Sequence, residues 1–272
     1  MHRVESTAVH YKLLRIYSRN KAIIRLLLDA GADINAQGGK YGNALQAAVY
    51  QGPIEIIQLL LDKGADVNAQ GGEYGNALQA SISGSSTLSS RVEAVYFLLH
   101  GGANVNAQGG KYGNALQAAV SKKSRDNIRL LMNKGADVNA PGGLFGNVLQ
   151  TAVSKGEGDT TRLLLDSGAD VNAHGGMYGH ALQAAAFSGK THIIRLLLDK
   201  GADVNTRGGL FGTALQAAAF QGGVDAIRLL LDKEADVNCE GSLFGTVVQA
   251  AAFKGRVGAI RLLLDQGVDV NF

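Results

Sequence analysis

The sequence is dominated by one segment that occurs seven times at a nearly constant spacing. Its first copy, GGKYGNALQAA, spans residues 38 to 48, and each copy carries a glutamine. The glutamines are Gln46, Gln79, Gln117, Gln150, Gln183, Gln216 and Gln249, separated by 33, 38, 33, 33, 33 and 33 residues. A period of this length predicts an array of one repeated supersecondary unit, in which stacked neighbours bury the apolar surface that one unit cannot bury alone.

Start and stop signals within one copy predict two helices followed by a hairpin arm. Asn43 is suited to cap a short helix over residues 44–50, and the glutamine three residues later completes a capping box. A second helix over residues 54–63 is too rich in leucine and isoleucine for one solvent-facing stripe, so we expect neighbours on both sides. Gly64 is expected to end this helix in the left-handed conformation. Residues 65–72 then read as an extended arm that turns at a Gly-Gly pair.

These residues resemble the ankyrin repeat along essentially the whole chain. The segment Gly-Ala-Asp-Val-Asn-Ala stands intact at residues 64–69, 135–140 and 168–173. The chain departs from the family at residues 43–46, where Asn-Ala-Leu-Gln replaces the usual Thr-Pro-Leu-His. The variant is similar to arrays of fungal proteins that often follow nucleotide-binding NACHT modules. The resemblance implies an all-α solenoid of helix-turn-helix pairs with β-hairpin arms.

The spacing predicts a single array over residues 1–272 with about eight stacked helix pairs, which we number as repeats 1 to 8. Residues 1–30 form the expected N-terminal capping repeat, and residues 31–272 the seven further repeats. The 38-residue step places a five-residue insertion near residues 85–90, between the two helices of repeat 3. Because added length in a surface loop costs little, we expect this serine-rich insertion to leave the stacking intact.

The two ends of the array differ in polarity. Lys12 and Arg15 stand where other repeats have Leu and Ala, as expected for a terminal layer that faces water on one side. The chain stops at Phe272, with no polar cap after the aliphatic second helix of repeat 8. Either the natural protein continues beyond this point, or this layer meets a partner or a second copy.

Two repeats carry an unusual residue at a position that controls a helix end. His180 occupies the slot held by Asn or Thr elsewhere, so we expect it to cap the first helix of repeat 6. Glu234 replaces the glycine that ends the second helix of repeat 7. A left-handed backbone costs a non-glycine residue about 1 kcal/mol, so Glu234 is expected to be strained.

Composition argues against several functional classes. The net charge is +3 with no basic cluster, so we expect no nucleic-acid surface. No apolar run is long enough for a membrane span, and the single cysteine, Cys239, favours a cytoplasmic protein, with the nucleus not excluded. The histidines match no zinc pattern; they are His2, His10, His100, His174, His180 and His192. We therefore expect no metal, no cofactor and no catalytic residue.

Positions that vary between repeats are the candidates for specificity. One set precedes the hairpin aromatic and changes from charged residues in repeats 2–4 to apolar residues in repeats 5–8. The other ends the first helix and changes from Tyr or Ser in repeats 2–5 to Phe in repeats 6–8. The predicted protein-binding residues are Leu144, Phe145, Met177, Tyr178, Phe187, Leu210, Phe211, Phe220, Leu243, Phe244 and Phe253. The hairpin aromatic also occurs in repeats 2–4, as Tyr41, Tyr74 and Tyr112, which favours a ladder of stacked rings as its first role.

The resemblance implies a non-catalytic scaffold that recognises a protein partner through hairpin tips and a concave groove. Three alternatives stay open: a sensor or regulatory array of a larger NLR-like protein, an enzyme that uses the groove in a biosynthetic pathway, and a purely structural module. Self-association through the uncapped repeat 8 is a further possibility.

Overall fold

Each of repeats 2 to 8 combines a short first helix of small residues with an aliphatic second helix. The computed structural model describes residues 21–84, 88–240 and 243–269, with only the backbone for 88–90. The described part divides into two compact units within Met1–Asp137 and Val138–Phe272. Most of the predicted capping repeat (1–20), part of the insertion (85–87) and the last residues (270–272) lie outside the described residues.

The first unit contains the described part of repeat 1 and repeats 2 to 4. Its first helices are Ala44–Gln51, Ala77–Ser83 and Ala115–Ser121. Its second helices are Lys21–Asp29, Ile54–Asp62, Leu88–His100 and Arg125–Asn133. Successive first helices pack on one another, and successive second helices do the same. The predicted bounds of the two helices of repeat 2 are therefore confirmed to within one residue.

The second unit contains repeats 5 to 8 in the same arrangement. Its first helices are Val148–Ser154, Ala181–Phe187, Ala214–Gln221 and Val247–Phe253. Its second helices are Gly158–Asp166, Thr191–Asp199, Val224–Leu231 and Val257–Asp265. The arm of repeat 5 forms two short antiparallel strands, Pro141–Gly142 and Gly146–Asn147. Within each unit the fold is that of an all-α solenoid with hairpin arms.

The cores of both units combine leucines and alanines of the first helices with leucines and isoleucines of the second helices. Leu45, Leu116 and Leu182 are each 1% exposed, and the alanines between them lie against the neighbouring helix. Alanine side chains permit this close approach because they carry one carbon beyond the backbone. No helix among the described residues is both long enough and apolar enough to cross a membrane.

Capping boxes begin the first helices of repeats 2, 7 and 8, as predicted. The side chain of Asn43 accepts from the Gln46 backbone N–H at 2.9 Å, and the Gln46 side chain accepts from the Asn43 N–H at 3.0 Å. Thr213 and Thr246 form the same box with the glutamine three residues on. These bonds satisfy backbone donors at the first turn, which otherwise have no partner within the helix.

Left-handed residues end the second helices, also as predicted. Gly64 has φ of 88°, and Glu234 occupies the equivalent position with φ of 65°. The strained backbone expected at Glu234 is thus confirmed. A Cβ built at Gly64 meets nothing within 4 Å, so the preference for glycine there comes from the backbone alone.

The hairpins are narrow turns stacked on one another. In repeat 3 the turn is closed by a bridge between Gly71 and Gly75. Gly72 has φ of 65°, and a Cβ there would lie 2.3 Å from the backbone carbon of Tyr41 in the preceding hairpin. Neighbouring arms can therefore approach this closely only because the turn carries glycine.

Candidate functional site

In the second unit, the variable residue of each hairpin lies exposed at its tip. We call these four side chains the apolar tips: Leu144 is 69% exposed, Met177 37%, Leu210 44% and Leu243 74%. The backbone N–H of Leu210 donates to the carbonyl of Met177 at 3.0 Å, which fixes the distance between two neighbouring tips. Exposed leucines in a regular row are unusual on a protein surface and are typical of an interaction site.

The predicted aromatic residues of repeats 6 to 8 pack into one continuous row of rings, which we call the aromatic zipper. Rings from the hairpins alternate with rings from the ends of the first helices, and successive centroids are 4.5 to 5.4 Å apart. In order the rings are Tyr178, Phe187, Phe211, Phe220, Phe244 and Phe253. Phe145 stacks on Tyr178 at 6.4 Å. The stacking predicted for the hairpin aromatics is confirmed for these rings.

Burial divides the zipper into packed and accessible rings. Phe211 is 6% exposed and Tyr178 9%, so these two rings act chiefly in packing one arm on the next. Phe145, Phe187 and Phe220 are half-buried, as is Phe244. Phe253 is 69% exposed. Ring contacts thus join the seven predicted aromatic residues to one another, and the tips and Phe253 are the most exposed of the predicted residues.

Two lysines that the sequence analysis did not single out lie over rings of this surface. The Nζ atom of Lys155 is 5.7 Å from the centre of the Phe145 ring, and that of Lys254 is 5.0 Å from the centre of Phe220. Each is the residue after a first helix, at equivalent positions of repeats 5 and 8. The sequence signal that could have identified them is their equivalent position in the two repeats.

The equivalent positions of the first unit have the opposite chemistry. Lys40 and Lys111 both pair with Glu73, at 3.3 and 2.6 Å, across neighbouring hairpin tips. The two lysines hold the pKa of the Glu73 carboxyl below its usual value, with the Lys111 hydrogen bond the largest cause. The rings below include Tyr41 and Tyr74, which stack at 6.5 Å. The charges of these tips are therefore satisfied within the unit.

Glutamine does more than complete the capping box. The Nε2 atom of Gln150 donates to the carbonyls of Gly175 and Gly179 in the next hairpin, at 3.1 and 2.9 Å. Gln183 reaches Gly212 in the same way at 3.2 Å. The glutamine is thus a bridge between repeats, and its constant distance from the next hairpin, 29 residues, was a signal for this role.

An asparagine ladder, also missed from the sequence, joins successive repeats at the base of the arms. The Nδ2 atom of Asn172 donates to the Gly201 carbonyl at 3.1 Å, and its Oδ1 atom accepts from the Asp203 N–H at 2.9 Å. Asn68 makes the same pair of bonds in the first unit, to Gly102 and Asn104. The Asn in each Asp-Val-Asn segment is therefore explained by scaffold bonding.

The predicted cap at His180 is wrong. The His180 side chain makes no capping bond, and its Nδ1 atom lies 3.3 Å from Nε2 of Gln183. The ring stands edge-on to His174 at 5.0 Å. Burial lowers the pKa of the His180 imidazole below 6.5, and His174 lowers it further. An imidazole is too bulky to repeat the short return bond of Asn or Thr in this buried position.

The groups that catalysis or metal binding would need are scarce among the described residues. Among the residues described, no group of three or more His, Cys, Asp or Glu side chains could hold a metal ion. The thiol of Cys239 is buried, which raises its pKa and keeps it protonated. Its Sγ atom lies 3.3 Å from the Thr213 hydroxyl, so this side chain serves as packing within the arm.

Comparisons with known proteins agree with this architecture. A family model described as ankyrin repeats (3 copies) matches residues 4–71, 142–208 and 182–272. A second, described as ankyrin repeats (many copies), matches residues 45–99. A search of curated proteins finds no match. Since the first model alone covers well over half of the sequence, the chain belongs to the ankyrin-repeat family.

Proposed function

We propose that this protein is a non-catalytic scaffold whose apolar tips and aromatic zipper bind a protein partner. Ankyrin repeats are generally protein-interaction scaffolds. The single observation that carries the proposal is the row of four apolar tips, up to 74% exposed, at positions that vary between repeats. Burying such side chains against a partner contributes about 25 cal/mol per Å² of apolar area.

Rigidity supports the same function. Side chains such as Gln150 and Asn172 bond one repeat to the next within the second unit, and the rings of the zipper stack on one another. A surface that is held before a partner arrives loses little conformational entropy on binding. The tips of the first unit are less suited to this role because their lysines are already paired with Glu73.

The wider setting is part of the proposal. We take residues 1–272 as one array that acts inside the cell, consistent with its single cysteine. An array of this kind serves equally as a separate scaffold or as the binding region of a larger NLR-like protein. The binding surface is the same in both settings.

The test is affinity capture from an extract of the protein's own source cells. The tip variant carries Leu144→Ser, Leu210→Ser and Leu243→Ser, at positions 44 to 74% exposed, so its stability should match that of the wild type. We expect the wild type to retain a partner and the tip variant to lose it. The matched control, Lys40→Ser, Glu73→Ser and Lys111→Ser, alters the first unit's tips and should retain the partner. Equal capture by wild type and tip variant would reject the proposal.

A further inference from the structure

The hairpin rings of the second unit stack on one another with a short and nearly constant step. Centroid distances are 6.4 Å from Phe145 to Tyr178, 6.3 Å from Tyr178 to Phe211 and 5.8 Å from Phe211 to Phe244. The ring planes are inclined by 1°, 14° and 19°. Each apolar tip directly precedes one of these rings in the chain, so the repeats offer equivalent places for partner side chains at about the same step of 6 Å.

An extended peptide matches this step better than a helix. Along a strand, side chains on one face recur every second residue, about 6.6 Å apart. Along a helix, residues four apart are separated by about 6 Å, but each step also turns the side chain by about 40°. Over four repeats a straight helix would turn its side chains away from the row, whereas a strand keeps them on it.

Three lysines of the second unit have no partner of opposite charge among the described residues. Lys155, Lys190 and Lys254 are exposed in the loops that follow the first helices of the second unit. Within the described residues, no carboxylate lies within ion-pair distance of these three lysines. The nearby acidic residues Glu157, at the N-cap position of the second helix of repeat 5, and Asp159, in its first turn, have interactions of their own.

Two of these lysines hold their ammonium groups over rings of the candidate surface. The Nζ atoms of Lys155 and Lys254 lie over two rings of this surface, Phe145 and Phe220. A partner carboxylate that reaches these ammonium groups gains ion pairing without displacing an existing ion pair. In the first unit the same approach would have to compete with Glu73 for Lys40 and Lys111.

We infer that the partner segment is an extended acidic peptide, with apolar side chains at every second position and carboxylates beside them. Its apolar side chains lie between the apolar tips and the zipper, and its carboxylates meet Lys155, Lys190 and Lys254. This inference rests on the proposed function and specifies which protein segments the surface takes.

The test is selection of a library of random 12-residue peptides on the full chain, with counter-selection on the tip variant. We expect enriched peptides with apolar residues at positions i, i+2, i+4 and i+6 and with Asp or Glu among the remaining positions. One enriched peptide is then synthesised with its acids intact and with each acid replaced by its amide. Binding to the full chain is measured by fluorescence anisotropy.

The amide peptide should bind the wild type about tenfold more weakly, as expected for a few exposed ion pairs. The variant Lys155→Gln, Lys190→Gln and Lys254→Gln should bind both peptides equally. Enriched peptides that depend on the tips but show helical spacing or basic residues would overturn the inference and leave the proposed function standing. A selection that yields no tip-dependent peptide would have the same consequence. Enriched peptides that bind wild type and tip variant alike would contradict both.

Discussion

Repeats 2–4 and repeats 5–8 build the same hairpin on the same helix pair, but their tips end in opposite chemistries. In the first set, Lys40, Glu73 and Lys111 neutralise one another. In the second set, Leu144 and its three equivalents are exposed, with nothing in the described structure to cover them. The comparison separates the scaffold, which is shared, from the surface, which differs. Specificity in this protein is therefore expected where equivalent positions diverge.

The largest effect on stability is expected from substitutions in the shared scaffold. A Cβ at Gly72 would lie 2.3 Å from the Tyr41 backbone carbon, and one at Gly209 would lie 2.2 Å from that of Tyr178. Gly72→Ala and Gly209→Ala should each lower the free energy of unfolding by about 3 kcal/mol, from left-handed strain and overlap together. Urea unfolding of the full chain measures both, with Gly64→Ala as a control that adds strain without overlap. A large loss of unfolding free energy from one of the two substitutions and none from the other would contradict the claim of a common scaffold.

Glu234 sharpens the comparison because the equivalent slots of the first unit, Gly31, Gly64, Gly102 and Gly135, are all glycine with positive φ. Glu234→Gly should raise the free energy of unfolding by about 1 kcal/mol, since glycine adopts φ of 65° without a Cβ clash. The urea midpoint of the full chain provides the measurement. Glu234→Ala keeps a Cβ and should show no such gain. An equal gain from both substitutions would assign the effect to the lost charge.

His180 is a second departure of the second unit, and it predicts a dependence on pH. Because the folded-state pKa is below 6.5, the unfolded chain binds a proton that the folded chain does not. Stability is complete above pH 6.5 and falls as pH decreases from 6.5 towards the folded-state pKa. His174 faces His180 and favours the neutral form, whereas Asp203 and Asp170 oppose this effect.

His180→Asn should remove this acid sensitivity and supply the cap that Asn43 provides in repeat 2, a gain of about 0.5 to 1 kcal/mol. Urea unfolding at pH 5 and pH 8 tests both parts. His192→Asn is the control, because it replaces an exposed histidine in the same repeat. If the wild type and His180→Asn lose the same stability between pH 8 and pH 5, the assignment to His180 is incorrect.

The smallest effect is expected from the charged tips of the first unit. The folded-state pKa of Glu73 is depressed, so its contribution is present above pH 4.5 and is lost as pH falls below that value. Glu73→Gln should slightly lower the melting temperature at pH 7 and have no effect once the carboxyl is protonated. The difference should shrink in 1 M salt, because exposed ion pairs are screened. A difference that salt leaves unchanged would indicate packing instead of charge.

Much of the fold could be predicted because its signals are local and repeated. Asn43 with its glutamine, and Gly64 with its left-handed turn, act within a few residues, and the structure confirms both. The bonds from Gln150 and Asn172 join residues 29 apart, and only their constant spacing pointed to them. His180 failed as a cap because burial and the neighbouring His174 decide its environment, and neither can be read from the capping position.

The candidate site was predictable in kind but not in detail. At the position before the hairpin aromatic, the change from charged to apolar residues after repeat 4 identified the hairpin tips of repeats 5–8 as the candidate surface. Exposure then separated its members: Leu243 is 74% exposed, whereas Phe211, equally apolar in sequence, is 6% exposed. Lys254 could be assigned to the site only from the structure, which places its Nζ atom over the Phe220 ring.

Exchanging the tips between the two units tests the central claim most directly. The second unit receives the first unit's charges through Leu144→Lys, Met177→Glu and Leu210→Lys, and the first unit receives Lys40→Leu, Glu73→Met and Lys111→Leu. Each variant is compared with the wild type by urea unfolding and by affinity capture of the partner. We predict an unfolding midpoint unchanged in the first variant and at most slightly lowered in the second, which loses the Glu73 ion pairs, with capture lost in the first variant and kept in the second. A first variant that unfolds normally and still captures the partner would contradict the account.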